Sequence, residues 1–440
     1  MNRLTDHLFV FSFDCLSALD VPYLRDLPNF SAFIEKSSYC TSVETIYPSV
    51  TYPCHTTIVT GNFPNRHRIV NNKRVQPGRP SPDWYWHRRH IQGTTLYDEA
   101  KKAGMTTAAL LWPVTAKAAI DYNLPEIFPN RPWHHQIPVS LMNGTPLFQI
   151  ELNSKFGHLR RGISQPYLDD FVLESTVHTI LTKKPGLLLA HFVDLDSMRH
   201  DHGFSSSEAY DALRRHDKRL GRLLSAIREA GLEDNSTVVL LGDHSQLDES
   251  KVIKPNVLFR EHGLIKLNVS GKVADWKAFC NSCDGSAYIY VKDENDEETK
   301  QTVLTLLQEK GKGIEEIITG PEAALRGADG NALYMIEAER GYYFEEAIEG
   351  DYLEAVTKET AREKNYTFAC HGYSPTKNDY ETVFFAAGRG IRPGVKIPSM
   401  RLVDEGPTLA RLIGVDLGDT DGHVIEELLI QELSNTKISN

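Results

Sequence analysis

Two hydrophobic patterns alternate along the first 245 residues: short apolar runs with no polar break, and longer stretches with an apolar residue every three or four positions. The runs Leu8–Phe13, Thr106–Trp112, Leu187–Val193 and Thr237–Leu241 read as strands covered on both faces, as in parallel sheets. The helical pattern covers Leu24–Glu35, where Pro28 starts the regular part and Leu27, Phe30, Phe33 and Ile34 share a face. It returns at Thr95–Lys102 before Gly104 and at Tyr167–Lys183 before Pro185-Gly186. It also covers Glu208–Ala230, capped by Ser205–Ser207 and stopped by Gly231, with Leu213, Leu220, Leu224 and Ile227 on one face. Residues 113–163 carry few regular signals. This β-α-β rhythm predicts an α/β core whose mostly parallel sheet is flanked by helices.

From about residue 246 the rhythm changes. Strand-like Tyr288–Val291, Ala332–Glu337 and Gly341–Phe344 surround a Glu/Lys-rich helix at 297–310, which predicts an inserted small α+β cap over 246–366. The core is then split into 1–245 and 367–440. Its second part holds a strand at Thr382–Ala387, a helix at Thr408–Ile413 and a frayed polar tail from Gln431.

The chain is 41% hydrophobic and 24% charged, ordinary values for a globular protein, and its net charge is −11. That balance argues against a nucleic-acid groove or an anionic membrane as partner. There is no 18-residue apolar run, and the N-terminal run is too short for a signal segment. Six scattered cysteines (15, 40, 54, 280, 283 and 370) form no disulfide framework. A cytoplasmic protein is expected, with Cys280 and Cys283 as two ordinary thiols.

Chemistry gathers around Ile46–Asn72. Thr51 lies between Pro48 and Pro53, which predicts a stiff turn ahead of a helix over Cys54–Thr60 that Gly61 ends. A hydroxyl at a helix N-terminus suits phosphate chemistry, and it equally suits a helix cap. Asp14, Asp196 with His200, and Asp243 with His244 stand just after apolar runs, and His371 stands at the return from the cap. In an open α/β sheet such positions converge on one crevice. Three Asp, three His and one hydroxyl suffice for two divalent metal ions, zinc first and manganese as the alternative.

The ordered motifs resemble the alkaline-phosphatase superfamily, in its nucleotide pyrophosphatase/phosphodiesterase branch. They are Asp14; Thr51-Tyr52-Pro53-Cys54-His55; Thr60-Gly61, Pro64, His67 and Asn72; Asp196, His200 and Gly203; Asp243-His244; and His371-Gly372. Cys54 stands where that family usually has Asn, and Arg68 where it has Gly. The likeness covers roughly 7–245 and 367–425. It implies an alkaline-phosphatase-like fold and one metal on Asp196, His200 and His371. The other metal would sit on Asp14, Thr51, Asp243 and His244. It implies Thr51 as a nucleophile forming a phospho-threonine, and Asn72 as a donor to a non-bridging oxygen. Tyr52 matches a position that stacks a base, and Phe192 is a candidate for the opposite wall. The loop 75–91, with Trp84, Trp86, His87, Arg88, Arg89 and His90, is either a site wall or plain surface. The activity implied is hydrolysis of phosphodiesters or nucleotide pyrophosphates, on a small phosphoester substrate such as a nucleotide. Phosphonate hydrolysis of the phosphonoacetate-hydrolase kind, phosphomonoester hydrolysis and a non-catalytic metal-stabilised binding protein are the alternatives.

Overall fold

The computed structural model describes residues 2–79 and 81–430, so the tail from Gln431 lies outside the described residues. The core elements follow in chain order. They begin with β1 (His7–Phe13), α1 (Pro28–Lys36), β2 (Ser38–Glu44), α2 (Thr51–Thr60), α3 (Leu96–Lys102), β3 (Thr107–Leu110) and β4 (Tyr122–Leu124). Next come α4 (Gln136–Asn143), α5 (Pro146–Phe156), α6 (Tyr167–Lys183), β5 (Leu187–Phe192), α7 (Asp194–His202), α8 (Ser207–Glu229) and β6 (Ser236–Leu241). After the cap segment come β7 (Thr382–Gly388), β8 (Lys396–Ile397), β9 (Met400–Arg401) and α9 (Leu402–Ile413).

These strands form one sheet in the order β8-β2-β7-β6-β1-β5-β3-β4, with β9 also on β2. The pairs β6-β1, β1-β5, β5-β3 and β3-β4 are parallel, and β7 is antiparallel to both its neighbours. Alternation along β1 and β5 separates two cores. Phe9, Phe11, Phe13, Leu188, Ala190 and Phe192 face α1, α6 and α8. Leu8, Val10, Leu187 and Leu189 face α2, α3 and α9. The result is a three-layer α/β architecture with helices on both faces of a mostly parallel sheet. Because β1, β5 and β6 run the same way, the residues that follow them emerge at one edge, and the segment leading into antiparallel β7 arrives there too.

Strands β2, β8 and β9 have no counterpart among the expected elements, and several further segments differ from them. Helix α2 starts at Thr51, not Cys54. Pro53 is its third residue, where a missing N–H costs nothing because no intrahelical acceptor exists yet. Residues 194–202 are helical, so the Asp196/His200 spacing is one helical turn and not a loop. Residues 113–163 contain β4, α4 and α5 in spite of their prolines; Pro146 opens α5. Helix α9 begins six residues early and carries Pro407 inside it.

Past β6, strands Ala278–Ser282, Ser286–Val291, Tyr334–Ala338 and Ile314–Thr319 form a separate antiparallel sheet. The helix Glu297–Lys310 packs on it through Val303, Leu306 and Leu307. Cys280 and Cys283 are buried free thiols there.

Candidate active site

The side chains brought together at the strand ends form two adjoining clusters. In the first, His244 Nε2 lies 3.3 Å from Asp14 Oδ1 and 3.2 Å from Asp243 Oδ2. In the second, Asp196 Oδ1 lies 3.4 Å from His200 Nε2 and 4.0 Å from His371 Nε2. The rings of His244 and His371, with centroids 4.2 Å apart, join the two. Each trio has ligand atoms within 4.8 Å of one another, the spacing a single metal ion requires. The clusters differ in access: Asp14 and Asp243 are 3% and 0% exposed, Asp196 and His200 14% and 21%, so the open side is the second.

Thr51 Oγ1 lies 3.3 Å from His244 Nε2. The N-cap position belongs to Val50, so the hydroxyl is not the helix cap. The first turn is poorer in donors than expected. Tyr52 N–H donates to Asn72 Oδ1 at 2.8 Å, Pro53 has no N–H, and Cys54 N–H closes on Val50 O. Among the described residues the first-turn donor left is Thr51's own N–H. By accepting through Oδ1, Asn72 keeps its Nδ2 as a donor.

His371 is pinned between core and cap. Gly372 N–H donates to Ser49 O, two residues before Thr51, and Gly285 N–H donates to His371 O. Gly372 has φ +84°, and a Cβ there would lie 1.6 Å from Cys283 O, so only glycine fits. His200 Nδ1 bonds Ala369 O, which orients its Nε2 toward Asp196.

Burial, with the charges of Asp243 and Asp196, pushes the Asp14 carboxyl up to about 8. Burial likewise pushes Asp243 up to about 7. Against partial desolvation, Asp196 is held well below the carboxylate range by His200, His371 and His244, and His200 rises to about 9 beside Asp196. Burial and the neighbouring His244 keep His371 neutral.

Two candidate substrate contacts are corrected. Phe192 is fully buried on the α1/α6/α8 side, stacked on Phe13 and beside His216, across the sheet from α2. Tyr52 is also fully buried; its ring meets Trp84 edge to face and its hydroxyl donates to Glu126 Oε1. The loop 75–91 is therefore partly a wall: Trp84 and the buried Trp86 pack with Phe128 around Tyr52, while Arg88 is tied to Asp98.

Three residues with no role assigned from sequence touch the clusters, and a fourth, Glu126, backs one of them. His191 Nε2 lies 3.0 Å from Asp14 Oδ2, and its Nδ1 faces Glu126 Oε2 at 3.7 Å. His55 Nδ1 bonds Thr51 O and lies 3.4 Å from Asp243 Oδ2. Gln246 Nε2 donates to Asp196 Oδ1. A histidine inside the apolar run LLLAHFV is the signal that marks His191; Glu126, in a proline-rich stretch, has none. Cys15 also borders the site, but burial pushes its thiol well up, which disfavours the thiolate a metal would need.

A parallel α/β sheet delivering two carboxylate–imidazole clusters to a buried hydroxyl defines an alkaline-phosphatase-superfamily centre. The chain belongs to the type I phosphodiesterase/nucleotide pyrophosphatase family, whose profile matches residues 8–374. Human ectonucleotide pyrophosphatase/phosphodiesterase family member 1 is 24% identical over 229 residues, which are 50% of this chain and 21% of that protein. The Saccharomyces cerevisiae ectonucleotide pyrophosphatase/phosphodiesterase 1 is 25% identical over 266 residues, 56% of this chain and 34% of the other. The chain thus spans about a third or less of the length of these two relatives. Murine ectonucleotide pyrophosphatase/phosphodiesterase 5, solved as an inactive variant in complex with AMP, superposes with a TM-score of 0.68 at 19% identity. That match covers 97% of this chain and 100% of the other, and shows a shared fold.

Proposed function

We propose that the protein is a metal-dependent phosphodiesterase or nucleotide pyrophosphatase that works through a covalent phospho-threonine. The observation that carries this reading is the hydroxyl of Thr51 held at the junction of two carboxylate–imidazole clusters. The residues fit divalent cations. Asp14 Oδ1 and Asp243 Oδ2 are buried without a hydrogen-bond partner, an arrangement that is costly unless a cation compensates it. Asp14, Asp243, His244 and Thr51 would hold one ion, and Asp196, His200 and His371 the other. Mixed carboxylate and imidazole donors suit zinc, with manganese next.

When bound, such ions supply Lewis acidity, acidify a hydroxyl or water, and neutralise phosphate charge. The chain's own residues do the rest. Thr51 Oγ attacks phosphorus in line as the far ester P–O bond breaks, and the departing oxygen leaves as an alcohol or phosphate. Water then attacks phosphorus, the bond to Thr51 breaks, and the hydroxyl is restored. Thr51 N–H and Asn72 Nδ2 are the donors placed for the non-bridging oxygens. His191 orients Asp14 through its Oδ2, and Cys15 N–H orients Asp243 through its Oδ1.

One observation favours a second substrate reading. With Tyr52 enclosed, its ring is not offered to a nucleobase, and a small substrate such as a phosphonate needs no such stack. The deciding experiment compares bis-p-nitrophenyl phosphate, p-nitrophenyl phosphate and phosphonoacetate in native protein and Thr51→Ala. Diester preference, abolished in a folded, metal-loaded Thr51→Ala variant, is expected. Undiminished turnover by that variant would remove the nucleophile from the mechanism. A native preference for phosphonoacetate would select the second reading. The protein is proposed to act in the cytoplasm.

A further inference from the structure

Helix α5 is apolar on opposite faces. Phe148 and Leu152 are buried, while Leu147 and Ile150 are 80% and 52% exposed. Its neighbour α4 turns Val139 inward and leaves Ile137 and Met142 70% and 67% exposed. The two helices are tied by Gln149 Nε2 donating to Ser140 O. Trp133 before them and Ile163 after them are 72% and 74% exposed. A surface helix ordinarily keeps polar residues outward, and an accumulation of exposed apolar side chains marks an interaction face.

Charge identifies what covers it. Residues 127–166 contain Arg131, Lys155, Arg160 and Arg161 against one acid, Glu151, a net +3 inside a chain of −11. Arg131 is engaged by Asp83, and Glu151 by His178 and Lys183. Lys155 and Arg161 are exposed in the same segment, Arg161 resting on the Tyr167 ring at 4.1 Å, while Arg160 is half-buried on the Phe171 ring at 4.4 Å and donates to Asn153 Oδ1. The whole-chain charge conceals this local excess.

We propose that this face docks on an anionic lipid surface. The apolar side chains enter the boundary between headgroups and acyl chains, and Lys155 and Arg161 lie among the lipid phosphates. Among the described residues no helix is long and apolar enough to cross a membrane.

The test is co-sedimentation of the full chain with phosphatidylcholine vesicles, with and without phosphatidylglycerol. Binding to the anionic vesicles that weakens with salt is expected. Lys155→Glu with Arg161→Glu should weaken partitioning roughly fivefold for each cation removed. Ile137→Ser with Leu147→Ser should also release the protein, at unchanged melting temperature and unchanged turnover of a soluble diester. Absence of vesicle binding, or binding that neither variant alters, would overturn the proposal. A concentration-dependent dimer that Ile137→Ser with Leu147→Ser dissolves, without vesicle binding, would overturn it in favour of a second copy.

Discussion

Asn72 Oδ1 takes the Tyr52 N–H, and the proposed mechanism gives its Nδ2 to the substrate. Asn72→Ala should cost on the order of 10²-fold in kcat, the scale of one lost oxyanion donor, in steady-state assays of a diester. An unchanged kcat would reduce Asn72 to a turn residue. The carboxylates make a second prediction. Asp14 and Asp243 hold protons up to about pH 8 and 7 in the folded, cation-free chain, and His200 up to about 9. In the unfolded chain all three have lost them by about pH 7. The folded state therefore binds more protons between pH 7 and 9, and stability falls as pH rises through that window. His244 and His371, with lowered values, are neutral in both states there and add no opposing slope. Melting temperatures in chelator should decline from pH 7 to 9, and added zinc or manganese should flatten the decline. An identical slope with and without metal would separate these groups from any cation.

At the scale of elements, placement depends on how each ligand is mounted. Asp196 and His200 ride on α7, whose first residue Asp194 is clamped by Arg215 and Arg219 at 2.7 Å. The Asp-x-x-x-His spacing was legible in the chain, but that it lay on a helix was not, because an acidic, polar stretch has no apolar face to read. The strands were legible because parallel strands buried on both sides are continuous apolar runs. The start of α2 was not, because Pro53 looks like a helix boundary yet is harmless in a first turn. His371 hangs instead on a backbone turn. Gly372→Ala would force a left-handed φ on a residue with a Cβ and drive that Cβ into Cys283 O. A loss of about 3 kcal/mol in denaturant titrations is expected, with lower occupancy of the metal bound at the open cluster. Native stability with full metal content would show that the turn does not set His371.

Over the whole molecule, the four convergent positions were readable because parallel β1, β5 and β6 send their following residues to one edge. Tyr52 and Phe192 were misjudged for a related reason: an aromatic near a motif gives no sign of which face of the sheet it joins. Contacts between core and cap had no sequence signature at all, and Glu337 shows what they do. It sits in the cap strand Tyr334–Ala338 and is 2% exposed. It accepts from Tyr47 Oη at 2.9 Å and from Ser374 N–H at 3.1 Å, and lies 3.4 Å from Lys377 Nζ. Tyr47 precedes Thr51 by one turn of chain and Ser374 follows His371, so one carboxylate holds both approaches to the site. Glu337→Ala strands a buried hydroxyl and an N–H, and should cost about 3 kcal/mol. Because Thr51 and the open cluster are then held less firmly to each other, kcat should fall more than KM rises. Glu337→Gln retains an acceptor for both donors and should recover most of the stability and the rate. If Glu337→Ala lowered stability but left kcat at the native value, the cap would be a structural addition with no part in setting the site.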